Sequence, residues 1–530
     1  MNDRQFVIIY GNMIRIEGRY SIMSKRKNKR KASVFFRLLS LIFSFVLIIF
    51  TIILIGQIIR LNVLPLFYVI PISIIIGSLS LLFIILMLFK AQRGFLHFVL
   101  TLVIIALTCV YGTGNYFVYV TSKAFKSVTN LTSKVSNTLT VRTLEGRAQN
   151  EKDLDGACLG YFTSMDSSDL SKLTDSLSKD NVSFTAKAYD DIYDMVQDLY
   201  DGYIDGILFN ESYSGVVTAV EEYSMFVNRT TPVYSMTYYT ENQNQKQDSI
   251  NDVDVTSVPF TVMISGNDSY GQFNENSRSD MNMLVTVNPN TGTVLMTSIP
   301  RDYYVPIAGL TNGYDDAELE DKLTHSGLYG IETTQKTIEN LLDVDINYYI
   351  RVNFSSLINL VDAIGGIDVF VEEGLAVDAF YSDTTLGGVS EGWYHLDGKR
   401  ALAFSRERHA YQYGDNQRVK NQQIVLEAII HSLTKPSMIL NYPKFISALS
   451  GAFETNMPAD TISNLLKFEF GTFPDWKFES YALSGFGDSR LCASLGGYAD
   501  VVLPDEESVI VAKEKINLVE IGNTSNDIES

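Results

Sequence analysis

"SRSDMNMLVTVNPNTGTVLMTSIPRDYYV", Ser277–Val305, carries the strand period twice, with an Arg and an Asp near each outer end. Met281–Val287 alternates, Asn288-Pro289-Asn290-Thr291-Gly292 is turn chemistry, and Thr293–Ile299 alternates again. Folding this hairpin joins its outer ends, because antiparallel neighbours lie only about 5 Å apart. Arg278 and Asp280 are therefore expected beside Arg301 and Asp302. In a chain of net charge −19, two arginines and two carboxylates gathered at one strand edge need a reason.

A second arginine neighbourhood lies downstream, in "SRERHAYQYGDNQRVKNQQ", with Arg406, Arg408 and Arg418. Asp415 reads there as the N-cap of a long helix. Arg418 and Gln422 share one helical face, which Val425 and Ile429 continue into the core. Guanidinium groups bind phosphate oxygens bidentately and keep their charge, so converging arginines suggest a diphosphate. Carboxylates beside them fit a divalent cation, since Mg²⁺ is usually held by one or two carboxylates plus substrate phosphates. Asp268, which follows the strand Phe260–Ser265, and Asp280 are the natural pair. Either Arg–Asp triplet alone reads as a surface ion pair worth little; two arginine neighbourhoods together favour a phosphate site. His325 in "DKLTHSG" reads as structural or pocket-lining, and Lys322 as a weak phosphate candidate. No Walker loop or HExxH helix competes.

Outward of the hairpin the pattern is α/β. Helices around Gly330–Leu342 and Phe354–Ile364, strands "INYYIRVNF" and "IDVFV", and helices at Asp397–Phe404 and Asp415–Leu433 predict a mixed sheet covered by helices. Strands and helices also alternate over residues 154–240, a separate small α/β domain without a catalytic constellation, and 241–258 reads as a polar linker. Upstream, Leu38–Ile59, Leu66–Phe89 and Phe98–Val120 are apolar runs long enough to cross a bilayer, which takes about 20 helical residues. Lys25, Arg26, Lys27, Lys29, Arg30 and Lys31 precede the first run, so residues 1–37 are expected in the cytoplasm. An odd number of spans, over 38–120, then places the rest outside, with 121–153 as a polar juxtamembrane connector. Cys109 lies in a span, so at most one external disulfide, Cys158–Cys492, is possible. The acidic balance argues against nucleic acid as a partner.

At these motifs the chain resembles the LytR–CpsA–Psr family of envelope enzymes. The matching pieces are "GND" with "SRSD" after it, "VTVNPNTGTVLMTSIPRDYYV", "DKLTHSGLYGIETTQKTIENLL", "YYIRVNFSSLINLVDAIGGIDV" and "FSRERHAYQYGDNQRVKNQQ". They cover about half the chain, within a domain drawn at 259–530. Three spans plus an extra domain look like the capsule-type CpsA branch. The resemblance implies a phosphotransferase on the outer face of a Gram-positive cell membrane. Its donor would be a glycan, capsular polysaccharide first, on undecaprenyl diphosphate, and its acceptor a peptidoglycan sugar hydroxyl; capsule-synthesis proteins would be its partners. By motif match, Asp268 and Asp280 would hold Mg²⁺, or Mn²⁺ in its place. Arg278, Arg301, Arg406, Arg408 and Arg418 would bind the diphosphate, with Gln422 assisting. Asp302 is expected to orient an arginine, and Asp268 doubles as the candidate base. Many relatives carry arginine where this chain has Asn421, a departure that reads as subfamily marking. Two alternatives remain: a non-catalytic regulator that binds lipid-linked polymer, and a diphosphate phosphatase.

Overall fold

The computed structural model describes residues 34–90, 94–129, 134–165, 167–241, 253–267, 276–311, 317–412, 414–435, 445 and 453–523. The chain divides into two compact units, a helical one within residues 1–118 and a second that runs from Tyr119 to Ser530 with the short segment Leu61–Leu66.

The helical unit contains α1 (Val34–Leu61), α2 (Leu66–Ile85) and α3, which begins at Gly94 and ends at Thr129. All three are long and apolar enough to cross a membrane. Their outward faces carry exposed Leu, Ile and Phe side chains, as helices facing lipid do. Between them, polar groups find partners: Thr51 Oγ1 meets Ser80 Oγ at 2.9 Å, and Asn115 Nδ2 donates to the Phe50 carbonyl at 3.0 Å. The basic run Lys25–Lys31 falls outside the described residues.

The second unit opens with an accessory domain. Its strands are β1 (Lys134–Leu144), β2 (Ala157–Phe162), β3 (Phe184–Tyr189), β4 (Gly206–Asn210) and β5 (Thr230–Glu241). Its helices are α4 (Ser167–Lys179), α5 (Ile192–Asp201) and the single turns α6 (Ser214–Val217) and α7 (Phe226–Arg229). The sheet runs β3-β2-β4-β1-β5, with β2 parallel to both β3 and β4, and β1 antiparallel to β4 and β5. β1 lies inside the stretch expected to be a connector, and its long pairing with β5 makes it part of the domain.

The larger domain is built on β6 (Phe260–Asn267), β7 (Met281–Asn288) and β8 (Thr293–Ile299), followed by β9 (Tyr304–Thr311), β10 (Glu318–Lys322) and a 3₁₀ segment, Leu323–Tyr329. Next come α8 (Ile331–Leu342), β11 (Tyr348–Asn353), α9 (Phe354–Ile364), β12 (Ile367–Val371), β13 (Val377–Ala379), β14 (Gly387–Val389) and β15 (Gly392–Leu396). Then follow α10 (Gly398–Arg406), α11 (Gly414–Thr434), β16 (Phe453–Thr455), α12 (Ala459–Thr472), β17 (Lys477–Ala482), β18 (Gly485–Cys492), β19 (Gly497–Pro504) and α13 (Glu506–Glu520).

The central sheet has order β16-β11-β6-β7-β8-β17 and is mixed: β6 and β11 are parallel, as are β8 and β17, whereas β6–β7–β8 is an antiparallel meander. One face packs Met263, Leu284 and Leu295 against Ile338 of α8 and Ile516 of α13. The other packs Met283, Val285 and Met296 toward Leu426 of α11. A further apolar cluster joins α9, α10 and α11 to the β12–β15 ribbon, and Val425 and Ile429 lie in it as expected. The hairpin forms in the expected register, Asn282 opposite Ile299, and closes through Gly292 at φ 68°. Cys158 and Cys492 share one apolar cluster with each other but remain free thiols.

Candidate functional site

β6, β8 and β11 all end at the edge where β7 begins, so loops converge there, the usual place for a ligand on such a sheet. Asp280 is fixed first: its amide donates to the Gly266 carbonyl at 2.7 Å. Its carboxylate Oδ1 then accepts from Arg301 Nη1 at 3.1 Å and Thr324 Oγ1 at 3.3 Å, with Arg278 Nη2 at 3.6 Å. Asp302 stands on the other side of Arg301, 3.4 Å from its Nε, and also takes Lys322 Nζ at 3.2 Å. Burial pushes the Asp302 carboxyl up, but the charges of Arg301 and Lys322 outweigh it and hold the group below its ordinary value. Three cations thus face two carboxylates in a partly buried cluster, leaving a positive surplus for an anion. Arg278, Asp280, Arg301 and Asp302 meet as the hairpin predicts. Asp268 lies outside the described residues.

The downstream arginines are held by different means. Arg406 ends α10 with its guanidinium 4.2 Å from the centre of the Phe354 ring. Arg408 Nε approaches His409 Nε2 at 3.1 Å. Between them, fully buried Glu407 accepts from the backbone amides of Tyr381 (2.6 Å), Ser382 (3.2 Å), Arg408 (2.9 Å) and Ala410 (3.1 Å), which pins the turn that presents both arginines. Asp415 stands inside the first turn of α11, which begins at Gly414, and its side chain lies outside the described residues.

Arg418 and Gln422 sit half-buried on the N-terminal half of α11. That half is tied to the hairpin by Gln423, whose Nε2 donates to Ser298 Oγ at 3.0 Å and to the Tyr481 carbonyl at 3.2 Å. Asn421, at the position where many relatives carry arginine, is buried and structural. Its Nδ2 donates to the Phe404 carbonyl at 3.0 Å, and its Oδ1 accepts from Gln417 at 3.0 Å, locking α11 to α10.

Two further groups brace the site: Arg351, to which the sequence reading gave no role, and His325, which is structural as its reading allowed. Arg351 on β11 is buried, donates to Ser277 Oγ at 2.9 Å and pairs with Glu454 at 3.5 Å, so it braces the residue before Arg278. Its only signal is a charge inside an otherwise apolar strand. His325 is buried with Nδ1 2.6 Å from Asp321 Oδ1 and 2.9 Å from Ser494 Oγ. The Ser494 amide donates to Asp321 Oδ2 at 2.6 Å, so this network fastens the β18–β19 turn to the 3₁₀ segment.

The LytR_cpsA_psr family model matches residues 223–474. A polyisoprenyl-teichoic acid–peptidoglycan teichoic acid transferase, TagU, of Bacillus anthracis is 30% identical over 263 residues, covering 49% of this chain and 80% of that protein. The TagU of Enterococcus faecalis is 32% identical over 232 residues, covering 43% of this chain and 71% of its own length. The crystal structure of Bacillus subtilis TagV matches 51% of this chain and 99% of that one, with 26% identity and a TM-score of 0.41.

Proposed function

Because the chain belongs to the LytR_cpsA_psr family, we propose that it is a glycopolymer–peptidoglycan transferase working on a polyprenyl-diphosphate-linked donor, with capsular polysaccharide as the polymer. The observation that carries this is the convergence of Arg278 and Arg301 on Asp280 at a strand edge. A diphosphate entering there exchanges the arginines' carboxylate contact for phosphate oxygens. Phosphoryl transfer is mostly positioning and charge stabilisation, which such a cluster supplies.

In the reaction, a hydroxyl of a peptidoglycan sugar attacks the phosphorus bearing the glycan. A new P–O bond forms, the bridging P–O bond to the lipid-side phosphate breaks, and polyprenyl monophosphate leaves with the bridging oxygen. The hydroxyl proton passes to a base, for which Asp268 is the candidate. Arg278 and Arg301 hold the diphosphate oxygens, Arg406 at the end of α10, Arg408 in the turn after it and Arg418 on α11 would add further phosphate contacts, and Gln422 a hydrogen bond. Asp302 orients Arg301, and the apolar side formed by α9, α10 and α11 receives the lipid chain.

Inside this net-positive cluster Asp280 would hold a divalent ion only together with phosphate oxygens, which supply the remaining negative charge without a protein cage. Among the described residues no three His, Cys, Asp or Glu side chains gather to hold a metal. Mg²⁺ would therefore rest on Asp280, Asp268 and the phosphates, and when bound it neutralises the diphosphate. The three apolar helices tether this domain to the membrane, with the N-terminus cytoplasmic and the site outside. The test is release of polyprenyl monophosphate from a short-chain polyprenyl-diphosphate glycan. Release that requires peptidoglycan fragments, Mg²⁺ and Arg301 is expected. Lipid binding without phosphate-bond cleavage under any condition would overturn the enzyme and leave a binding protein.

A further inference from the structure

The accessory domain has no catalytic set of its own, yet it reaches the site. A Cβ placed on Gly215 in α6 would lie 3.4 Å from Arg278 Nε and 3.9 Å from both Cζ and Nη2, so the guanidinium lies across the bare face of that turn. Tyr193 reports the same proximity. Burial and the Asp191 charge push its phenol up to about 12, while the Arg278 charge opposes them. The Tyr193 hydroxyl donates to the carbonyl of Val216, the next residue of α6, at 3.5 Å.

α6 is rigidly held. Glu211 Oε2 accepts from Ser214 Oγ at 2.7 Å, and its Oε1 accepts from Thr140 Oγ1 at 2.8 Å and from buried Arg142 Nη1 at 2.6 Å. Burial, with Tyr213 just before α6 as a neighbour, pushes up the phenol of Tyr329 at the end of the 3₁₀ segment that also supplies Thr324. A chain of contacts therefore runs from the accessory sheet through α6 to Arg278.

We propose that the accessory domain is a working wall of the diphosphate site, with Gly215 as a positioning residue that acts through Arg278. Without a side chain at 215, the guanidinium lies flat against α6 and stays within reach of Asp280. A larger residue displaces it from the position the diphosphate needs. This rests on the proposed function, because the ligand that Arg278 meets is the donor diphosphate.

The test is a double-mutant cycle on the full-length protein with farnesyl diphosphate as the probe, read by direct binding. Arg278→Ala removes a charge-assisted contact and is expected to weaken binding about 10- to 100-fold. Gly215→Leu is expected to approach that loss with an unchanged unfolding midpoint, Gly215→Ser to show a smaller one, and Gly215→Leu/Arg278→Ala to bind no worse than Arg278→Ala. If Gly215→Leu fails to fold, the same cycle with Gly215→Ser decides. Wild-type affinity in the Gly215 variants, or losses that add in the double variant, would overturn the wall while leaving the transferase standing. No binding by the wild type would instead remove the proposed function, and the inference with it.

Discussion

Arg301 is the residue on which the site turns, because it is shared between Asp280 at 3.1 Å and Asp302 at 3.4 Å. Arg301→Ala should reduce transfer about 10²- to 10³-fold, the usual scale for removing a preorganised transition-state donor. Arg301→Lys should recover little of it, since one ammonium cannot span both carboxylates and a phosphate; initial rates with saturating donor check both. Asp302 gives a pH signature. Its folded-state carboxyl is held below the ordinary value, so its contribution to stability is complete above about pH 4 and is lost as pH falls through the lowered value. The stability gap between wild type and Asp302→Asn, measured by denaturant unfolding, should be present at pH 7 and close in strong acid.

At this scale the hairpin residues were legible because strand spacing forces their meeting, whatever the rest of the chain does. Arg351, Glu407 and Asn421 were not, because their partners, Ser277, the Tyr381 amide and the Phe404 carbonyl, come from segments no local period connects to them.

Among elements, the β18–β19 turn depends on Asp321. That carboxylate is buried, yet its folded value is lowered because His325 and Ser494 outweigh the burial. Asp321→Ala leaves the buried His325 ring nitrogen and the Ser494 amide without their acceptor, at about 1–3 kcal/mol each, seen as a lower urea midpoint at unchanged slope. Phe380 fills the cluster between the β12–β15 ribbon and α9–α11 without exposure, so Phe380→Ala should cost about 3–5 kcal/mol by the same measurement.

Elements with strong periodicity were readable: α9 occupies Phe354–Ile364 as its apolar pattern predicts. β1 was not readable, since "KVSNTLTVRTL" is rich in Ser and Thr and its strand character comes from pairing with β5, whose sequence begins much later.

For the whole molecule, the accessory and larger domains are joined by a common apolar cluster in which Leu328, Cys492, Leu495 and Val501 pack with Ile192, Met195 and Phe162. Residues 134–241 therefore cannot be removed cleanly. Their excision should uncover these side chains, each worth about 1.5–3 kcal/mol when buried, and lower the unfolding midpoint or drive aggregation on gel filtration. Two α/β patterns separated by a polar stretch read from sequence as independent domains, because no local pattern announces a shared core.

A transferase of this kind moves phosphate to a sugar hydroxyl and not to water. Phosphorus NMR of the product formed from a polyprenyl-diphosphate glycan and peptidoglycan fragments distinguishes the two. A phosphodiester joining glycan to peptidoglycan is expected, formed in step with polyprenyl monophosphate and absent with Arg301→Ala. A phosphomonoester on free glycan, formed equally well without peptidoglycan, would contradict it and identify a hydrolase.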